Sequence, residues 1–349
     1  MFTLSLCMIV RDEEDVIERV LKCASKFCDE IIIVDTGSKD RTKDICKKYT
    51  EKLYDLPWKN DFSYARNYSF SKATMDYIIW LDADDYITES NINKILELKS
   101  SNEVADFFML KYCMAFDENN KPTFEFFRER IIKNHKNFKW EGFVHEAISP
   151  SGKIIYKDIE IEHRKEKQNK PKRNLSLYRN ALRNKYNFSP REQYYYSREL
   201  YYNSYYKKAI SELKKYLKMS DRYTPNIIDA YNMLSECYLK INSPNNALDT
   251  MFEALKKFTP TPENCCMIAK IFEQLHQINQ TIFWYNIALI SPSQTDGFIQ
   301  KDYQNFIPYL ELCRIYFNHD FQKSKEYYLK AKELKPRDPS VIFNEQFFK

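Results

Sequence analysis

Three carboxylates within four residues, Asp82, Asp84 and Asp85, follow directly on the apolar run Tyr77-Ile78-Ile79-Trp80-Leu81. Set that close, they repel one another unless a cation sits among them. An Asp-x-Asp on a turn places two carboxylates on one side, which suits a hard divalent cation that also binds phosphate oxygens. The plainer alternative is a solvated acidic turn capping a helix near Thr88, but such a turn needs no apolar strand to deliver it. Asp35 ends a second apolar run, Glu30–Asp35, and precedes Thr36-Gly37-Ser38. Its carboxylate can accept hydrogen bonds from a base or a ribose, or simply open a helical turn capped by Ser38 or Asp40. Arg66 has the planar fork that matches phosphate oxygens. An amphipathic helix with Phe62, Ala65 and Ser69 facing inward accounts for the same segment. Of the five histidines, two sit beside carboxylates: His145 in Trp140-Glu141-Gly142-Phe143-Val144-His145-Glu146, and His163 after Ile159-Glu160-Ile161-Glu162. A glutamate beside such a site can deprotonate a hydroxyl or thiol, and a histidine can complete a metal shell begun by an aspartate. Each residue alone is ordinary; the ensemble points to nucleotide and metal chemistry.

The elements that must position these residues alternate. Leu4–Val10 is a short apolar run of the kind buried in a parallel sheet. Glu13–Phe27 carries Val16, Ile17, Val20, Leu21 and Ala24 at helical spacing. Glu30–Asp35 reads as a strand, Lys39–Tyr49 as a helix and Tyr77–Leu81 as a strand. This order predicts an α/β layer with a mostly parallel sheet, in which ligands gather at the carboxyl ends of strands. Asp35 and Asp82 both stand at such ends. From about residue 190 the strand patterns vanish and helical pairs with recurring alanines take over. Ala254 and Ala288 lie 34 residues apart, and Ala331 a further 43 on. These predict tetratricopeptide-like repeats of irregular spacing. Between the halves, residues 164–185 hold nine Lys/Arg against one glutamate. With Pro171, they read as a basic linker leading into a helix near Asn174. The expected organisation is 1–165, a linker over 166–189, and 190–349.

Composition narrows the function classes. The chain has 349 residues, which at about 150 per domain favours two domains. A net charge of +5 is too mild to demand nucleic acid as a partner. No apolar run is long enough for a transmembrane segment, and Met1–Val10 runs into Arg11-Asp12-Glu13 as a first strand rather than a signal peptide. Nine scattered cysteines without a Cys-x-x-Cys predict free thiols in a reducing, cytoplasmic setting. Only four glycines serve the chain, so a dinucleotide fingerprint and a P-loop are excluded.

In order, Leu4–Glu14, Glu30–Thr42, Asn60–Asn67 and Trp80–Asp85 resemble a family 2 glycosyltransferase of the GT-A fold, over roughly residues 1–165. Trp58–Asn67, Gly142–Glu146 and the helical-repeat tail resemble, more narrowly, the sublancin-type peptide S-glycosyltransferases. The resemblance implies a Rossmann-like GT-A domain followed by an all-α, tetratricopeptide-like domain. It implies that Asp35 recognises uracil, that Asp82 meets the ribose or a metal-bound water, and that Arg66 neutralises phosphate. Arg11 joins these as a nucleotide-sugar-binding residue. Asp84 and His163 would hold Mn²⁺ or Mg²⁺, and Trp140 and Gly142 would form the acceptor loop. Glu146 matches the base position, with His145 as its rival. Asp12 departs from the asparagine that relatives often carry.

The implied reaction is an inverting transfer of a hexose from a UDP-sugar, UDP-glucose foremost, to a Cys, Ser or Thr side chain of a bacteriocin-type peptide or a protein. Two other readings stand beside it: a transferase for a cell-surface glycan or lipid-linked acceptor, and a repeat-based scaffold with an inactive transferase domain. The repeats are expected to serve either the acceptor or a second protomer in a homodimer.

Overall fold

The computed structural model describes residues 1–117, 120–164, 172–292 and 299–349. The chain divides into two compact units, residues 1–115 with 125–177, and residues 116–124 with 178–349. Lys165, Lys167, Lys170 and Pro171 of the basic run lie outside the described residues. Of the described part of that run, Arg173, Arg179 and Arg183 lie in a helix that begins at Arg173, next to the expected start near Asn174.

The first unit runs β1 (Leu4–Val10), α1 (Ile17–Ala24), β2 (Glu30–Asp35), α2 (Thr42–Cys46), β3 (Leu53–Asp55), α3 (Phe62–Phe70), β4 (Tyr77–Trp80), β5 (Asp85–Tyr86), α4 (Glu89–Ser100), β6 (Phe107–Phe116), β7 (Pro122–Lys133) and β8 (Ile154–His163). Its sheet has the order β3-β2-β1-β4-β7-β6-β8-β5. The first four strands in that order are parallel, as the apolar runs predict, because helices cover the sheet and leave the strands buried. β4 then pairs antiparallel with β7, and β8 lies parallel to β6. These three long strands were not part of the expected alternation. They extend the sheet past the acidic turn and bring His163 to it.

The two ends of β2 treat a buried acid differently. At its amino end, Glu30 accepts from the Ser5 hydroxyl, the Lys52 ammonium and both the amide and hydroxyl of Thr74. Burial raises its pKa, but those donors outweigh burial and bring it down to about 2. At the carboxyl end, Asp35 is left with an open oxygen. Saturated acids hold folds; open ones wait for ligands.

The second unit is all helical beyond residue 178 apart from a two-residue strand. The unit boundary falls within α5 (Arg173–Arg183). Four hairpins follow: α6 (Pro190–Tyr202) with α7 (Tyr206–Tyr216), α8 (Thr224–Lys240) with α9 (Pro244–Leu255), α10 (Pro262–Gln274) with α11 (Ile278–Ile290), and α12 (Phe306–Tyr316) with α13 (Phe321–Leu334), closed by α14 (Pro339–Glu345). Ser189 and Thr261 start α6 and α10 with capping boxes, each with proline in the first turn. Ala209, Ala247, Ala254, Ala288 and Ala331 are all buried on the second helices of the pairs, where a small side chain lets two helices approach. The repeat pattern read from the alanines is the pattern of packing. All nine cysteines are free thiols. Among the described residues no helix is long and apolar enough to cross a membrane.

The least tolerant point of the first unit is the ion pair of Asp85 and Arg130, both fully buried, with Nη1 to Oδ2 at 2.9 Å. Arg130 also lies over the Trp80 ring at 3.7 Å and the Tyr112 ring at 4.2 Å. Arg130→Met should cost about 3–5 kcal/mol in urea unfolding, because Asp85 would be left buried without a counter-charge. Adding Asp85→Asn should recover part of the loss. A loss below about 1 kcal/mol in the single variant would remove the pair from this role.

Candidate active site

The carboxyl ends of β1, β2 and β4 form one edge of the sheet, and the candidate residues gather there. Asp35 is 1% exposed. Its Oδ1 accepts from the amides of Gly37 (2.9 Å) and Ser38 (2.8 Å), while Oδ2 has no partner among the described residues. Gly37 makes that turn with a φ of 108°, a conformation any other residue would find strained. Arg11 follows β1 and lies half exposed, its Nε 3.8 Å from Asp12.

Arg66, on α3, is the hub. Its Nη2 donates to Asp82 Oδ1 at 2.8 Å and its Nε to Glu146 Oε1 at 2.6 Å. The guanidinium lies between the rings of Trp80 (4.9 Å) and Trp140 (4.8 Å). Burial would lower the Arg66 pKa, but Asp82 and Glu146 raise it further, so the cation is permanent. Burial likewise favours a neutral Asp82, and Arg66 and Arg130 override it, holding that carboxyl at about 2. Arg66 therefore neutralises two carboxylates here, with Nε and Nη2 engaged by protein.

The loop of residues 140–147 is fixed by α3 as well. Asn67 donates from Nδ2 to the Trp140 carbonyl and accepts from the Trp140 amide, both at 2.9 Å. The Phe62 amide donates to the Phe143 carbonyl at 2.9 Å, and Glu141 and Ala147 exchange both backbone bonds. Trp140 is buried and anchors the loop. Gly142 turns the chain with a φ of 90°, and His145 takes a φ of 54°. Glu146, not His145, is the neighbour that Arg66 draws to Asp82.

The metal candidates meet through strand register. β5 pairs antiparallel with β8, setting Asp85 opposite His163. His163 Nδ1 lies 3.4 Å from Asp84 Oδ1 and 2.9 Å from the Tyr112 hydroxyl. Ligand atoms of Asp84, Asp85 and His163 all lie within 4.8 Å of one another. Asp85, however, is saturated by Arg130, the Tyr112 hydroxyl (3.0 Å) and the Asp82 amide (2.9 Å). The donors left for a divalent cation are one carboxylate, Asp84, and one imidazole. That set fits an octahedral ion whose other positions are filled by phosphate or water oxygens.

Tyr112 and Arg130 complete the site, and the sequence reading missed both. The triplet Arg128-Glu129-Arg130 between Phe126-Phe127 and Ile131-Ile132 was the available sign, since charges inside an apolar strand need buried partners.

Residues 5–164 match the family model described as Glycosyl transferase family 2. Residues 5–164 form a glycosyltransferase family 2 domain. A TPR repeat-containing protein of Synechococcus elongatus is 34% identical over 152 residues, 43% of this chain and 36% of that protein. The SPbeta prophage-derived glycosyltransferase SunS of Bacillus subtilis is 29% identical over 262 residues, 69% of this chain and 60% of that protein. A solved TPR protein of Thermus thermophilus shares 17% identity over 49% of this chain and 86% of its own, at a TM-score of 0.38. The chain thus spans 36% and 60% of the two curated relatives.

His163 is a titrating group of this site whose pKa folding displaces upward. Burial would lower the pKa of His163, but its bonds to Asp84 and Asp85 raise it from 6.5 to about 9. A histidine raised on folding stabilises the fold below its unfolded value and loses that contribution as pH climbs through the folded one. Between pH 6.5 and 9 the metal-free protein should therefore lose up to about 3 kcal/mol in denaturant unfolding. His163→Gln should remove that part of the slope. An unchanged slope in the variant would mean that His163 is not held charged by the two aspartates.

Proposed function

We propose that this chain transfers a hexose from a UDP-sugar, with UDP-glucose the first donor to try, to a Cys, Ser or Thr side chain of a peptide or protein. The observation that carries the reading is the bridge Asp82–Arg66–Glu146, at 2.8 and 2.6 Å, beside the Asp84–His163 pair. It ties a carboxylate of the donor edge to a carboxylate of the acceptor loop through one buried cation. The family 2 domain and the similarity to a protein named a glycosyltransferase support the same activity.

The roles follow from what each atom lacks. Asp35 Oδ2 has no donor among the described residues, and the N3–H of uracil would supply one. Asp84 and His163 would hold Mn²⁺ or Mg²⁺, which when bound offsets charge on the diphosphate of the departing UDP. Arg66 keeps Asp82 ionised and holds Glu146 in place through Nε. Glu146 then accepts the proton of the acceptor hydroxyl or thiol as its oxygen or sulfur attacks the anomeric carbon from the face opposite UDP. A thiol acceptor, with a pKa near about 8.5, needs less of this help than an alcohol. The polypeptide acceptor is favoured by the repeats, because stacked helical pairs present a concave surface to an extended chain.

UDP release measured from several UDP-sugars, with mass spectrometry of Cys- and Ser-containing peptides, tests the reading. Glu146→Gln should lower turnover by about 10²–10⁴ with little change in donor affinity, and more for Ser than for Cys acceptors. If His145→Ala abolishes turnover while Glu146→Gln barely changes it, the base is His145. A wild-type chain that modifies no peptide while glycosylating a glycan or lipid-linked acceptor would overturn the acceptor class.

A further inference from the structure

Positive charge in the helical unit is concentrated near its start. Residues 178–218 hold ten Lys/Arg against three glutamates, a surplus larger than the whole chain's +5, so the rest of the chain is net acidic. On α7 and the turn after it, Lys207, Lys208, Lys214, Lys215 and Lys218 are all exposed. At 3.6 residues per turn, their spacing sets the five on one arc of about 120°, running about 17 Å along the helix. Ala209, Leu213 and Tyr216 are buried on the opposite side. The helix is thus amphipathic and basic, with its apolar side committed to packing and its cationic side in solvent.

The fold does not neutralise these charges. None of the five makes an ion pair or donates a side-chain hydrogen bond among the described residues. Lys208 and Lys214 each lie near a ring face, Tyr196 at 5.8 Å and Tyr238 at 5.5 Å, which steadies a cation without removing its charge. Glu212, the one acid of α7, stands off the arc and accepts from Gln193 Nε2 at 3.0 Å. The other second helices of the pairs are different. α9 carries Asp249 and Glu253 with no Lys or Arg, α11 carries no charged residue, and α13 sets four lysines against Glu326 and Glu333. Five like charges held this close repel one another, and an anionic surface laid against them lowers that energy.

The chemistry of the arc favours a fluid anionic surface over a polyanion with a shape of its own. Lysine ammonium groups are compact charges on flexible stems that can follow mobile headgroups, whereas ordered phosphate recognition uses the planar fork of arginine. Single-stranded nucleic acid is held on outward ring faces, and between its lysines the arc offers Ser211 and no aromatic residue. A cluster of about four to eight Lys/Arg on an amphipathic helix is the pattern that anionic phospholipid attracts. We propose that the lysine face of α7 docks this chain on an anionic phospholipid surface. The contact is peripheral and electrostatic, so salt reverses it. It goes beyond the transfer reading and does not depend on it.

Co-sedimentation of the full chain with vesicles of phosphatidylcholine, alone or mixed with phosphatidylglycerol, tests this. The chain should pellet with the mixed vesicles at low salt and stay in solution with phosphatidylcholine alone. It should come off the mixed vesicles in about 1 M NaCl, where the Debye length is about 3 Å. Lys207→Gln/Lys208→Gln and Lys214→Gln/Lys215→Gln should each weaken binding about tenfold or more, since each lysine near an anionic surface contributes about a fivefold factor. Lys207→Arg/Lys208→Arg should bind as wild type, which separates loss of charge from loss of fold. Lys323→Gln/Lys330→Gln should also bind as wild type, although it removes the same net charge from α13. Equal pelleting with phosphatidylcholine alone, or an equal loss in the α13 variant, would overturn the proposal. So would binding of duplex DNA or polyglutamate through the same lysines with none to the mixed vesicles, which would assign the face to another polyanion.

Discussion

Charge balance at one edge of the sheet governs the first unit. Asp35, Asp82, Asp84, Asp85 and Glu146 crowd the carboxyl ends of its strands and the loop beside them, and so many anions in a partly dry site cannot all stay ionised without cations. Two buried guanidinium groups resolve most of this. Arg66 takes Asp82 and Glu146, and Arg130 takes Asp85. Both guanidinium groups stack on the Trp80 indole; Arg66 donates from Nε and Nη2, whereas Arg130 donates through Nη1, to Asp85 and to the Trp80 carbonyl. Among the carboxylates of this edge in the described residues, one oxygen of Asp35 has no donor, and Asp84 has the His163 imidazole beside it. A ligand that brings a divalent cation and an N–H donor suits both, and a nucleoside diphosphate with its metal is such a ligand.

The fold exists, in this sense, to hold two cations and their acids in register. Parallel strands β2, β1 and β4 bring Asp35 and Asp82 to the same edge. The two-residue strand β5 pairs with the end of β8, which sets His163 beside Asp84 although 79 residues separate them in sequence. Helix α3 does double duty, offering Arg66 to the acids and Asn67 to the backbone of the loop of residues 140–147. A helix that carries both contacts ties the carboxylate-bearing strand ends to that loop.

The legible parts of the sequence were those fixed by local pattern. Leu4–Val10 and Glu30–Asp35 are the strands observed, because uninterrupted apolar runs can only be buried in the middle of a sheet. The helix expected over Lys39–Tyr49 is shorter, Thr42–Cys46, since Asp40 folds back to cap Thr42 and tie down Glu14. The strands β6, β7 and β8 were hidden, because their partners lie far away in sequence and their aromatic and charged residues imitate no simple period. For the same reason Arg130 and Tyr112 were invisible: their role depends on a ladder that only the folded chain reveals. Arg66 was visible as a residue of the site but not as the bridge between Asp82 and Glu146. The repeats were legible through their alanines, which are buried on the second helix of each pair.

The account turns on a divalent cation joining Asp84 and His163 to a nucleoside diphosphate whose base reaches Asp35. Isothermal titration of UDP into the full wild-type chain, once with Mn²⁺ and once with EDTA, addresses that directly. The account predicts a single UDP site in Mn²⁺ whose affinity falls by at least about a hundredfold in EDTA, since the phosphates would then face Asp84 without a cation between them. Equal affinity in EDTA, or no UDP binding under either condition, would contradict it.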